Sequence, residues 1–178
     1  YQSVVHLYKG GRRQIAALAW PEDSRVGNNR MSGYFNALKD CGLPINTHLI
    51  ARGAGNYEFG YQACDEFLQL PRSLQPDAIV ALNDYMAMGA MAAIQNKGLV
   101  PGEEIAVTGF DDNPIVQYLR PSLTTVQQPI WDIGQKVIEM LQSCGPVTGL
   151  FHEYELKLAE LIHSYMPSIE MFRMLMVK

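Results

Sequence analysis

Four polar residues, Asn83, Asp84, Asp111 and Asp112, stand directly after two short apolar runs, Ala78-Ile79-Val80-Ala81-Leu82 and Ile105 to Phe110. Runs that brief, the first bounded by Pro76 and each followed by turn-forming residues, read as buried strands. Between them lies a helix-period segment, Tyr85 to Lys97, closed by Gly98 where a left-handed C-cap is wanted. Strand, helix, strand over Pro76 to Asp112 is the βαβ unit of a parallel sheet. In such sheets the residues just beyond the carboxyl ends of strands line the ligand crevice. The chemistry available there is hydrogen bonding to a neutral polyol such as a sugar. Asp111 accepts two hydroxyl protons, Asn83 both donates and accepts, and Arg30 adds a planar fork of donors. Arg30 stands near the start of a predicted helix, where a cation opposes the helix dipole and so has reason to be elsewhere than in solvent. Tyr57, in a glycine-rich loop over Arg52 to Tyr57, offers a ring face for stacking on a sugar or for ordinary loop packing. Asn83 and Asp84 also serve as caps for the Tyr85 helix, and Asp112 is expected to cap the strand end, leaving Asp111 for the ligand.

Catalytic patterns are missing from the sequence. It contains no GxSxG elbow, no HExxH and no GxxxxGK[ST]. Gly53-Ala54-Gly55 fails the dinucleotide pattern, because Glu58 occupies the third glycine position. His6, His48, His152 and His163 stand apart from carboxylates at ligand spacing, so each reads as a surface or capping residue. A phosphoryl-acceptor reading of Asp111-Asp112 would require a lysine and further acids at other strand ends, which the pattern does not supply. The chain is therefore expected not to be an enzyme, with no catalytic residue, metal ligand or cofactor.

The bulk properties set the frame. The chain has 178 residues, 48% hydrophobic and 18% charged, the balance of a folded domain with a real core. A net charge of −4 argues against a nucleic-acid footprint within these residues. Cys41, Cys64 and Cys144 form no CxxC, and an odd scattered set fits reduced thiols in a cytoplasmic protein. Nothing in the sequence has the length of a membrane span or the pattern of a secretion signal.

Positioning the polar residues requires more alternating elements. Tyr1 to Lys9 reads as the end of a helix stopped by Gly10-Gly11, and Ile15 to Trp20 as the first buried strand. Asn28 or Asn29 is expected to cap a helix from about Arg30 to Cys41, with Met31, Tyr34, Phe35 and Leu38 on one stripe. Leu49 to Ala51 reads as a strand and Phe59 to Leu70 as a helix. Leu123 to Val126 and Ile130 to Gln142 follow as strand and helix. Met86, Met88 and Met91, with the alanines around them, make the Tyr85 helix apolar nearly all round. One sheet face covers only part of such a helix, so a homodimer contact is expected there. Beyond Pro146 the pattern allows an amphipathic helix through Phe151, Tyr154, Leu158, Leu161, Ile162 and Tyr165, then a segment with Met171, Met174 and Met176.

The stretch PDAIVALNDYMAMGAMAAIQNKGLVPGEEIAVTGFDD, followed by RPSLTTVQQPIWDIGQKVIEML, resembles the effector-binding domain of the lactose-repressor/galactose-repressor family. Upstream, VVHLYKGGRRQIAALAW and NNRMSGYFNALKDCGL match that family too, so the resemblance spans about residues 1–142. It implies an α/β, three-layer αβα fold on a mainly parallel sheet, a periplasmic-binding-protein-like subdomain. It also implies effector-contacting roles for the positions of Arg30, Asn83 and Asp111, dimerisation through the side of this subdomain, and transcriptional regulation by a repressor. By that pattern residues 1–129 are the C-terminal subdomain, and 130–178 a crossover helix with an atypical tail. The DNA-binding helix-turn-helix and the first subdomain would lie outside these residues, leaving operator DNA to be contacted only through them. The other class sharing the fold is a periplasmic solute-binding protein for sugars, which would require a signal peptide.

Overall fold

Five short strands form one wholly parallel sheet in the order β2-β1-β3-β4-β5. They are β1 (Ile15–Ala19), β2 (Ile50–Arg52), β3 (Ala78–Ala81), β4 (Ala106–Asp111) and β5 (Thr124–Gln127). Every residue of β1 and β3 is buried, as continuous apolar runs in the middle of a parallel sheet must be when helices cover both faces. The edge strands β2 and β5 are partly open, which suits the polar residues of β5 and Arg52 at the end of β2. Four α-helices accompany the sheet, α1 (Gln2–Lys9), α2 (Arg25–Asp40), α3 (Tyr57–Gln69) and α4 (Asp84–Asn96), and a fifth among the described residues, α5 (Ile130–Ser143), follows in the chain. The computed structural model describes residues 1–143, with side chains placed through residue 140. The chain divides into two compact units, residues 1–128 and 129–178.

Right-handed crossovers fix the layers. The connection from β1 to β2 runs one way along the sheet, and those through α3 and α4 run the other. Helix α2 therefore lies on one face, with α1 against it, and α3 and α4 pack together on the opposite face. The core they enclose includes Leu18, Met31, Tyr34, Leu38, Ile79, Met86 and Ile94, each nearly inaccessible. Within it the Tyr34 hydroxyl donates to the Ile15 carbonyl at 2.7 Å, so the buried phenol is satisfied. The glycines expected to stop α1, α2 and α4 do so at Gly11, Gly42 and Gly98, all with positive φ.

Several boundaries differ from the sequence reading, three of them near the site. Helix α2 begins at Arg25, not near Arg30, because Ser24 is the cap and its Oγ accepts from the Gly27 N–H at 3.1 Å. The first turn carries no apolar stripe to announce it, so the periodic pattern starts late. Strand β2 lies one residue further on, with a 3₁₀ turn over Thr47–Leu49 before it. Helix α3 begins at Tyr57, capped by the Asn56 side chain accepting from the Phe59 N–H.

The apolar helix α4 does find a second partner, and that partner is α3. Met86 and Met91 are buried, and the two helices meet backbone to backbone at Gly60 and Gly89. A Cβ at Gly60 would fall 2.2 Å from the Met86 carbonyl oxygen, and one at Gly89 would fall 2.1 Å from that of Tyr57. The expected reason for a dimer at this helix, that it lacked a second cover, is thus removed. Gly60→Ala should force the helices apart and cost about 1–3 kcal/mol, as overpacked cores do. Urea denaturation of the variant checks this, with a lower midpoint at unchanged slope as the expected result.

Helix α5 belongs to the second unit. It carries a Lys136–Glu139 ion pair of 3.0 Å and is joined to Pro129 by the Ile133 N–H. The tail helix expected over Phe151 to Tyr165 and the segment around Met171 to Met176 lie outside the described residues, as does Cys144. Of the other thiols, both free, Cys41 is half-buried and Cys64 fully buried, with burial pushing the Cys64 thiol up to about 12. No helix among the described residues is long and apolar enough to cross a membrane.

Candidate functional site

The strand order reverses between β1 and β3, and ligands of open parallel sheets bind beyond the carboxyl ends at such a switch point. Trp20 follows β1 there, Leu82 and Asn83 follow β3, and Asp111 ends β4 beside them. Helix α2 rises from the β1 end and delivers Arg30 to the same place. Its Nη1 donates to the Leu82 carbonyl, and its Nη2 lies 3.5 Å from Asp111 Oδ1. The guanidinium is stacked as well as bonded: its centre is 3.8 Å from the Phe110 ring centroid and 5.1 Å from that of Trp20. A planar cation packed against two aromatic rings is held in one orientation, and arginine suits this where lysine would not. Only 14% of the Arg30 side chain is accessible.

Asp111 is held from the other side. Gln128 Nε2 donates to the same Oδ1 that faces Arg30, whereas Oδ2 has no protein partner among the described residues. The side chain is 37% accessible, so this second oxygen is open to a ligand hydroxyl. Burial pushes the Asp111 carboxyl above its ordinary value, although Arg30 and the Gln128 amide pull it down. Asn83 is more committed. Its Oδ1 accepts from the Met86 N–H at 2.8 Å, capping α4, and its amide donates to the Gly55 carbonyl at 2.8 Å. One amide hydrogen is left for a ligand.

The remaining polar residues divide differently from expectation. Asp84 is buried and structural, accepting from the Asn113 N–H at 2.7 Å and the Thr125 hydroxyl at 2.6 Å. Asp112 does not cap the strand end. The short 3₁₀ turn over Pro114–Tyr118 is capped by Asn113, whose Oδ1 accepts from the Ile115 N–H at 3.2 Å. Tyr57, expected in a loop, is the exposed first residue of α3. The second ring near Arg30, besides Phe110, belongs to Trp20, and glycine at position 55 makes room for it. A Cβ at Gly55 would fall 2.0 Å from Trp20 Nε1.

Comparison with known proteins decides the family. A model of the periplasmic binding protein-like domain matches residues 4–149. The transcriptional repressor CytR of Escherichia coli K12 is 34% identical over 141 residues, covering 79% of this chain and 41% of CytR. A LacI-family regulatory protein from Chloroflexus aggregans superposes with a TM-score of 0.79 at 48% identity, over 84% of this chain and 54% of that one. The chain belongs to the periplasmic binding protein-like domain family. It is similar to the effector-binding domains of LacI-type regulators, and it spans about two fifths of the curated relatives it matches. Two further solved structures bear on its chemistry. One is a complex of the regulator CelR with cellobiose, 31% identical, TM-score 0.72, covering 78% of this chain and 42% of that one. The other is a dimeric Lac repressor, 33% identical, TM-score 0.69, covering 77% and 49%.

In this LacI-type domain the sequence located three of the converging groups, Arg30, Asn83 and Asp111, and missed Trp20, Phe110 and Gln128. Trp20 and Gln128 immediately follow β1 and β5, and Phe110 precedes the last residue of β4, so the signal available for them was their place at strand ends. A partly open pocket of about 190 Å³ lies elsewhere, lined among others by His6, Met91, Thr108 and Thr124, and shares no residue with the strand-end cluster. Among the described residues no three histidine, cysteine or acidic side chains gather as a metal site.

Proposed function

We propose that this chain senses a small hydroxyl-bearing effector, a sugar, for a LacI-type transcriptional regulator, and that Arg30, Asn83 and Asp111 hold it. The observation that carries the reading is Asp111 Oδ2, a carboxylate oxygen without a protein partner among the described residues, beside a stacked guanidinium at the switch point. A sugar hydroxyl donates to that oxygen, the spare amide hydrogen of Asn83 serves an adjacent hydroxyl, and the Arg30 fork faces the same crevice. Trp20 and, at the rim, Tyr57 supply aromatic faces for the apolar side of a sugar ring. The cellobiose complex of CelR supports the ligand class. Operator DNA would be contacted through residues outside this acidic chain, whose net charge is −4. The working form is a cytoplasmic homodimer, a reading supported by the dimeric Lac repressor structure, and it performs binding rather than catalysis.

Isothermal calorimetry of the chain, and of the longer regulator containing it, against a panel of mono- and disaccharides including cellobiose tests the reading. Saturable binding of one sugar, weakened by about thirtyfold or more in Asp111→Ala, is expected. If no sugar binds the longer regulator, or if every sugar binds Asp111→Ala as well as the parent, the proposed site is wrong. A secretion signal encoded upstream would instead favour a periplasmic solute-binding protein.

A further inference from the structure

Resting on that reading of Asp111, we propose that Asp84 is a positioning residue, a buried carboxylate that fixes the backbone turn presenting Asp111 to the effector. Asp84 is 1% exposed and cannot reach a ligand. Nor is it required as the cap of α4, because Asn83 fills that place. Its two oxygens grip the chain on either side of the site instead. Oδ2 accepts the Asn113 N–H at 2.7 Å, and Oδ1 accepts the Thr125 hydroxyl at 2.6 Å. The Thr125 oxygen in turn accepts the Asp112 N–H at 3.3 Å. One carboxylate thus holds the two residues after Asp111, one directly and one by relay through β5.

Those bonds answer a backbone need. Asp111 and Asp112 have φ of 118° and 55°, and they are the non-glycine residues with positive φ among the described residues. Such conformations cost about 1–3 kcal/mol each and persist only where the surroundings impose them. Strand β4 is shaped for the same contact, since a Cβ at Gly109 would fall 2.3 Å from Asp84 Oδ1. Chemistry selects a carboxylate here. An ionised carboxylate only accepts, so the Thr125 proton must point to Asp84, leaving the Thr125 lone pairs for the Asp112 N–H. An asparagine keeps only one acceptor: its amide nitrogen either faces the Asn113 N–H, losing that bond, or donates to Thr125 Oγ1 and turns the hydroxyl proton away, so either way the charged double acceptor is lost. Burial pushes the Asp84 carboxyl up, the Thr125 and Asn113 bonds pull it down, and the neighbouring charges of Asp111 and Asp112 push it up again.

The test needs no sugar, so it stands apart from the identity of the effector. In the 178-residue chain, three-bond HN–Hα couplings of Asp111 and Asp112 report φ directly. Thr125→Val removes the relay but keeps the Asp84 charge, and Asp84→Asn keeps the shape but breaks the acceptor pair. Both variants are expected to shift the Asp111 and Asp112 couplings toward averaged values while those of Ala78 to Ala81 stay unchanged. Thr125→Ser should restore the parent values. Couplings at Asp111 and Asp112 that match the parent in folded Thr125→Val overturn the proposal, whether or not Asp84→Asn folds. So does a shift that extends equally to Ala78 to Ala81, because that would mark a general loss of structure.

Discussion

Replacing Asp111 by alanine should weaken effector binding by about 2–4 kcal/mol, roughly thirtyfold to several hundredfold, since a charged hydrogen-bond acceptor is lost from a partly buried site. The loss should exceed that of most neighbouring substitutions, because Asp111 Oδ2 is a charged acceptor without a protein partner among the described residues. Position 111 has φ of 118°, a conformation aspartate and asparagine tolerate better than alanine. Asp111→Asn is therefore the cleaner probe of charge, and Asp111→Ala carries some backbone strain as well. The turn itself should survive in both, held by Asp84 and Asn113 and not by Asp112.

The same residue sets a pH dependence with a definite sign. Burial raises the Asp111 carboxyl above its ordinary value, so in the free protein it takes up a proton at a higher pH than an exposed aspartate. Protonation removes the charged acceptor, so affinity should be full above that raised value and fall as pH drops through it. Stability moves the other way. A carboxyl whose folded-state pKa is raised binds its proton more tightly folded than unfolded, so its contribution declines as pH rises through the window between the two values. Asp84, raised for the same reason, adds in the same direction. Calorimetric affinities across the acidic range should lose this dependence in Asp111→Asn. An unchanged pH profile in that variant would assign the titration to another group.

Arg30→Ala is expected to have the other large effect, on fold and binding together. It leaves the Leu82 carbonyl without its donor, removes the cation facing Asp111 and empties the space beside Phe110 and Trp20. Losing a hydrogen-bonded, stacked cation of this kind should cost about 2–4 kcal/mol of stability, with the Asp111 share discounted because that carboxylate is partly in water. Arg30→Lys keeps the charge without the planar fork and should recover less than half of the loss. Urea denaturation gives the stability change, and calorimetry on the fraction still folded gives the binding change. Equal stability of parent and Arg30→Ala would show that the stack holds nothing in place.

Much of the fold was legible because its signals are local. Continuous apolar runs marked β1 and β3, and glycines marked the ends of α1, α2 and α4. What escaped depends on contacts distant in sequence. The start of α2 is set by Ser24 in a polar stretch, so Arg30 sits in the helix's second turn and owes its place to Phe110, Trp20 and Leu82 rather than to an unfavourable dipole. The second cover of α4 is a close crossing with α3 at Gly60 and Gly89, and a glycine within a helix-period stretch gives no sign of what it approaches. The site was half visible for the same reason. Asn83 and Asp111 are read from strand ends, whereas the clearance of Gly55 for Trp20 and the reach of Gln128 to Asp111 exist only once the strands are neighbours.

A crystal structure of the longer regulator with the sugar found by calorimetry tests the proposed site most directly. The expected result is a sugar hydroxyl within hydrogen-bond distance of Asp111 Oδ2, with Arg30 still stacked on Phe110 and the Asn83 amide on an adjacent hydroxyl. A sugar bound elsewhere, with Asp111 Oδ2 facing only solvent, would contradict the assignment of this strand-end cluster as the effector site.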